Sequence, residues 1–170
     1  MRGATGHVRV TLEPRSSTTE PPPEPDLIIE DRRWRWFVPR LEERVLRAVR
    51  AAQSAAPEAI VDTVVLTGDR EVRLLNARHR GRNKPTNVLT FEPLAEGLGG
   101  ELVLALGVLR REAAAEGKSI AAHLAHLLVH GVLHLAGEDH HHPGEARRME
   151  MAESRVLARL GVPNPWRGAR

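Results

Sequence analysis

Between positions 130 and 140 the sequence reads His130-Gly131-Val132-Leu133-His134-Leu135-Ala136-Gly137-Glu138-Asp139-His140, in a chain with nine histidines and no cysteine. On a helix that advances about 100° per residue, His130 and His134 fall on one face, one turn apart and close enough to share a single ion. Gly137 suits a helix stop, because the residue just past the last turn commonly takes a left-handed backbone that glycine adopts without strain. That reversal would bring His140 back to the same ion. Three neutral imidazoles with an open fourth position are the ligand set of a catalytic zinc, bound at about 2.0 to 2.1 Å per nitrogen. Without cysteine, a transition-metal site must rest on histidine and carboxylate.

The spacing of four and then six residues is also that of the long zinc-protease signature, yet Gly131 stands where that signature carries its glutamate base, so a metalloprotease reading lacks its proton acceptor. In a competing reading His130 and His134 are core residues and His140-His141-His142 is a solvated tract; the three-ligand spacing around a well-placed glycine favours the metal. His123 and His126 lie on or beside the same helical line. They could order the metal ligands, contact substrate, or hydrogen-bond inside the core. Asp139 is better placed to orient a ligand imidazole than to bind the ion. A second stretch loads a Gly/Pro-containing loop with Arg78, Arg80, Arg82 and Lys84 just before a strand, which suits contact with phosphates. Without such a partner, a charge run of this kind is a solvated face.

The elements that must position these residues follow from periodicity. Ser119 can cap a helix from Ile120 to about Ala136 whose other positions are apolar on every side, so it is expected to be buried all round. A last amphipathic helix runs from Glu145 to Leu160. Upstream, Leu27–Glu30 reads as a strand, and Trp34 and Trp36 as packing at one edge of the core. A helix begins with Pro39 in its first turn and carries Leu41, Val45, Leu46, Val49 and Ala52 at helical period; the β-branched run from Ile60 to Leu66 is a central strand. Asp69 is the expected N-cap of a helix through Arg78. Strands ending near Phe91 and spanning 101–106 come next, then a helix from Val108 to Glu116. The glycine-rich loop between the two strands lacks a nucleotide-binding spacing. The sum is an α+β domain, a small mixed sheet packed with helices, with the metal site between a central buried helix and the following loop.

At 170 residues the chain suits one domain. That domain is placed at 26–163, after a Pro-rich tail over 1–25 whose composition cannot form a core, and before a short C-terminal tail over 164–170. A net charge of +3 with a pI near 10.4 permits a polyanionic partner. No apolar run is long enough for a membrane span or a secretory signal, and no disulfide can form. The expectation is a cytoplasmic protein with no membrane contact and no disulfide-linked partner.

Two blocks carry a resemblance to a known family. Leu75-Asn76 through Arg80-Gly81, Lys84-Pro85-Thr86-Asn87-Val88-Leu89 and Phe91 form one; His123, His126, His130-Gly131, Leu133-His134-Leu135, Gly137 and Asp139-His140 form the other. Together they resemble the YbeY family of bacterial metal-dependent endoribonucleases, over roughly residues 27 to 163. The resemblance implies one zinc ion per chain on His130, His134 and His140, and an essential catalytic arginine at Arg80. It also implies cleavage of single-stranded ribosomal RNA, with maturation of the small-subunit rRNA 3′ end, ribosome quality control, and contacts with the small ribosomal subunit and its assembly factors. His79 and Glu138 stand where the family carries aromatics, and Gly100-Glu101 where Gly-Asp is commoner; none is a proposed ligand. A non-catalytic ribosome assembly factor with a structural zinc is the reading of a different class.

Overall fold

In the computed structural model, which describes residues 23–95, 97–137 and 143–166, the order of elements is that expected with one addition, a single helical turn at Trp34–Phe37. It runs β1 (Asp26–Ile29), α1 (Trp34–Phe37), α2 (Leu41–Ala55), β2 (Val61–Thr67), α3 (Asp69–Arg80), β3 (Val88–Phe91), β4 (Gly100–Ala105), α4 (Leu106–Ala115), α5 (Ile120–Leu135) and α6 (Pro143–Arg159). The sheet order is β1-β2-β4-β3; β1, β2 and β4 are parallel, and β3 pairs antiparallel with β4. A mixed four-stranded sheet with six helices among the described residues makes this an α+β fold. None of those helices is long and apolar enough to cross a membrane.

Because successive strand residues face opposite ways, the two inner strands feed two cores. Val64, Leu66, Leu102 and Leu104 pack under α2, α5 and α6, while Val103, Ala105 and Leu89 meet Val72 of α3 on the other face. The helix that carries the histidines is thus pressed onto one face of the sheet, and the basic α3 covers the other.

Local signals set the ends of α5. Ser119 Oγ accepts the Ala122 N–H at 3.1 Å, and the chain leaves the helix at Gly137 with φ 82°, its N–H donating to the His134 carbonyl at 2.9 Å. In the middle, a Cβ on residue 131 would lie 2.8 Å from Leu102 Cδ2, so glycine lets α5 settle directly on β4. The expected burial on every side holds for Leu124, Leu127, Leu128, Val129, Val132, Leu133 and His123 of α5 but not for Leu135 or His130, whose side chain is 29% exposed.

Three other expectations are corrected. Trp34 is fully buried, its Nε1–H donating to the Thr67 carbonyl at 3.0 Å, but Trp36 is 76% exposed: in the single turn of α1 the residue two places on points away from the core. Helix α2 begins at Leu41 after Arg40, held at φ 52°, so Pro39 precedes the helix and does not sit in its first turn. Asp69 does not cap its own helix. Gly68 holds the cap position of α3, and the Asp69 carboxylate instead accepts the Val108 N–H at 3.0 Å and an Arg111 N–H at 2.8 Å, closing the first turn of α4.

Candidate active site

Four imidazoles leave α5 at positions 123, 126, 130 and 134. His123, only 3% exposed, places Nε2 2.8 Å from the Glu112 carboxylate of α4, which also accepts from Asn87 Nδ2 at 3.0 and 3.2 Å. His126 and His130 share one partner from α6: Glu153 lies 3.2 Å from His126 Nε2 and 2.6 Å from His130 Nδ1, and is itself 1% exposed. His130 and His134 then meet through their outer nitrogens, Nε2 to Nε2 at 3.0 Å, with their rings at 83°. The Nδ1 atoms of His123 and His126 are buried with no hydrogen-bond partner.

Burial alone would push the Glu153 carboxyl up, but hydrogen bonds from His126 and His130, with the charge those rings can carry, outweigh it and hold the group at about 2. Ionised, Glu153 can only accept. The edge of Trp166 closes over His126 at a centroid distance of 5.6 Å, and Asn164 Oδ1 accepts from Ser154 Oγ and the Trp166 N–H, so the described residues of the C-terminal tail pack beside this cluster.

These residues pass a simple test for a metal. Nε2 atoms 3.0 Å apart can both reach one ion that binds imidazole at about 2.0 to 2.1 Å, provided that each presents its lone pair. Among the described residues no third His, Asp or Glu joins the pair in a metal-sized group. His140 and Asp139, the expected third ligand and its orienting neighbour, lie outside the described residues.

The basic loop comes to the same region from α3. Asn76, 3% exposed, donates from Nδ2 to the Lys84 carbonyl at 2.7 Å and so folds residues 82–84 back over the end of the helix. A cavity of about 240 Å³ there is lined by Arg80, Arg82 and Lys84 together with Glu112. The exposed Arg78 is not among the residues that line it. Arg80 Nη2 donates to the Thr90 carbonyl on β3 at 3.4 Å, and Thr90 Oγ1 is 3.5 Å from the point where a Cβ on residue 131 would stand. Thus Arg80 reaches the turn of α5 that carries His130 across a single strand. The Phe91 ring meets His79 edge-on at 5.1 Å, a contact in which imidazole stands for an aromatic.

Glu153 and Glu112 are absent from the sequence-based site. Glu153 did leave a signal: Met149, Glu153, Val156 and Leu157 form the buried stripe of α6, so an acid occupies a position where helical period calls for an apolar side chain. Glu112 left none, since its partners Asn87 and His123 lie 25 and 11 residues away.

Known proteins resemble this chain in sequence and in fold. The family model described as Endoribonuclease YbeY matches residues 30–161. A Gluconobacter oxydans protein named Endoribonuclease YbeY is 55% identical over 146 residues, 84% of this chain and 87% of that one. An Azorhizobium caulinodans protein of the same name is 41% identical over 153 residues, covering 84% and 96%. A Thermotoga maritima protein solved in solution shares the fold with a TM-score of 0.55 at 22% identity, over 85% of this chain and 99% of that one.

Proposed function

The chain belongs to the YbeY endoribonuclease family, and from that premise we propose a zinc-dependent enzyme that cuts single-stranded ribosomal RNA in the cytoplasm. In this reading it acts in 3′-end maturation of the small-subunit rRNA and in ribosome quality control, with the small ribosomal subunit and its assembly factors as partners. Family membership makes it a nuclease, a hydrolase of phosphodiester bonds. The observation that carries the metal is the pair of imidazole nitrogens 3.0 Å apart, one of them backed by a buried carboxylate.

His130, His134 and, from sequence, His140 would hold the ion. When bound, zinc supplies Lewis acidity and a nucleophilic water near neutral pH. The chain's own residues supply the rest. Arg80 presents a guanidinium fork to the scissile phosphate and stabilises the extra negative charge of the pentavalent transition state. Arg82 and Lys84, on the rim of the same cavity, hold neighbouring phosphates of the strand. Gly131 places no carboxylate beside the pair, which separates this site from that of a zinc protease.

The test is a matched pair. Wild type and Arg80→Ala are assayed on single-stranded rRNA, with zinc content and thermal unfolding measured for both. Arg80→Ala is expected to keep its zinc and its stability while losing ~10² to 10³ in rate, the usual cost of removing one preorganised charge. Full activity in that variant would refute the catalytic role of Arg80, whereas no cleavage by either protein, with zinc bound and the fold intact, would put the non-catalytic assembly-factor reading in front.

A further inference from the structure

We infer that Glu153 is a positioning residue that fixes which nitrogen of His130 faces the metal site, and that it sets the opposite choice in His126. The inference rests on the metal reading above and deepens it.

Proton inventory decides the case. A neutral imidazole carries one N–H and one lone pair, and which nitrogen holds the proton is decided by the partner of the other. An ionised carboxylate accepts and cannot donate. At 2.6 Å from Glu153 Oε1, His130 Nδ1 must therefore be the protonated nitrogen, and the lone pair sits on Nε2, the atom that faces His134. A ligand imidazole needs this tautomer, and a carboxylate behind it also makes it more basic. His126 turns the other atom to the same carboxylate: Nε2 lies 3.2 Å from Glu153 Oε2, which puts the proton there and leaves Nδ1 buried with no partner. One carboxylate thus sorts two histidines four residues apart on the same helix, committing one to the ion and withholding the other.

A purely structural role fits less well. Met149, Val156 and Leu157 flank Glu153 on the buried stripe of α6, and each is at most 2% exposed, so an apolar residue would pack there without the cost of burying a charge. A clasp between α5 and α6 would need only one bond, to either ring and to either nitrogen. The structure instead shows two bonds, to different atoms of two rings.

The first readout needs no metal. In long-range ¹H–¹⁵N spectra of chelator-treated wild type, above the ordinary imidazole titration range, His130 should appear as the Nδ1–H tautomer and His126 as Nε2–H. Glu153→Gln keeps the shape but can no longer accept from both rings. It should leave His130 as a mixture and raise the zinc dissociation constant about 10- to 100-fold by chelator competition, with an unchanged far-UV spectrum. An Nε2–H tautomer at His130 in the wild type overturns the proposal even if the variant does not fold. A folded Glu153→Gln with wild-type tautomers and zinc affinity overturns it too. If wild type takes up no zinc, the metal reading fails separately, because the spectrum still decides whether Glu153 sets the tautomers.

Discussion

Gly131 stands where a zinc protease carries its base, and the packing of α5 explains why a carboxylate has no room there. Any Cβ at this position would press on Leu102, a fully buried residue of β4, with Thr90 at ordinary contact distance beside it. The position looks into the sheet, while His130 and His134 look along the open stripe. Gly131→Ala should therefore destabilise the fold by about 1 to 3 kcal/mol through overpacking, and adding Leu102→Val should recover part of it. Urea unfolding of the two variants checks both; a Gly131→Ala as stable as wild type would mean that the helix stands off the strand. The sequence made the histidine pair legible because a separation of four residues is a local fact of helix geometry. It did not disclose Glu153, which reaches His130 across 23 residues by way of the α5–α6 packing. Trp36 misled for the converse reason: in a helix of one turn its side chain points outward, and no periodicity long enough to show that exists in four residues.

At the scale of elements, Asp69 shows how a correct chemical reading can be attached to the wrong helix. Its type and place beside Gly68 marked a cap, but the orphan N–H it satisfies belongs to α4, 39 residues away. Only the packing of α3 beside the end of β4 makes that choice. Asp69→Ala should cost about 1 kcal/mol, the usual value of a missing cap, and should loosen α4 with little effect on α3. Hydrogen exchange at the first amides of the two helices distinguishes them. By contrast, Ser119 and Gly137 were legible because each acts on the helix next to it. The basic loop is a further case of positioning by a buried polar group, since Asn76 holds the Lys84 carbonyl and so keeps Lys84 beside Arg80. If these cations meet phosphates, RNA affinity should fall steeply with salt. Neutralising Arg82 and Lys84 together should then flatten the log–log slope by about 0.7 for each phosphate that is no longer neutralised. A slope that does not change would return the loop to a solvated face.

For the molecule as a whole, Glu153 links site and stability. In metal-free protein its carboxyl is held at about 2 against an ordinary 4.5, so the folded state stays ionised where the unfolded chain has already taken up a proton. Its contribution is complete above the ordinary carboxyl range and is lost as the pH falls from there towards 2. The gap corresponds to about 3 kcal/mol at most. Chelator-treated wild type should lose stability over that window, and Glu153→Gln should lose correspondingly less; equal losses would show that the carboxylate is not held as described. The sheet adds a last consequence. Ala105 donates its N–H to the Asn87 carbonyl across β3 and β4, and the alternation of an antiparallel ladder then turns the carbonyl of Thr90 away from β4, towards the outer side of the sheet. An outer strand with unmet backbone groups is a template on which a second molecule can add its own strand, and charged side chains laid along it are a common protection. On that carbonyl the Arg80 guanidinium is the kind of charged cover that keeps a strand edge from pairing with another chain.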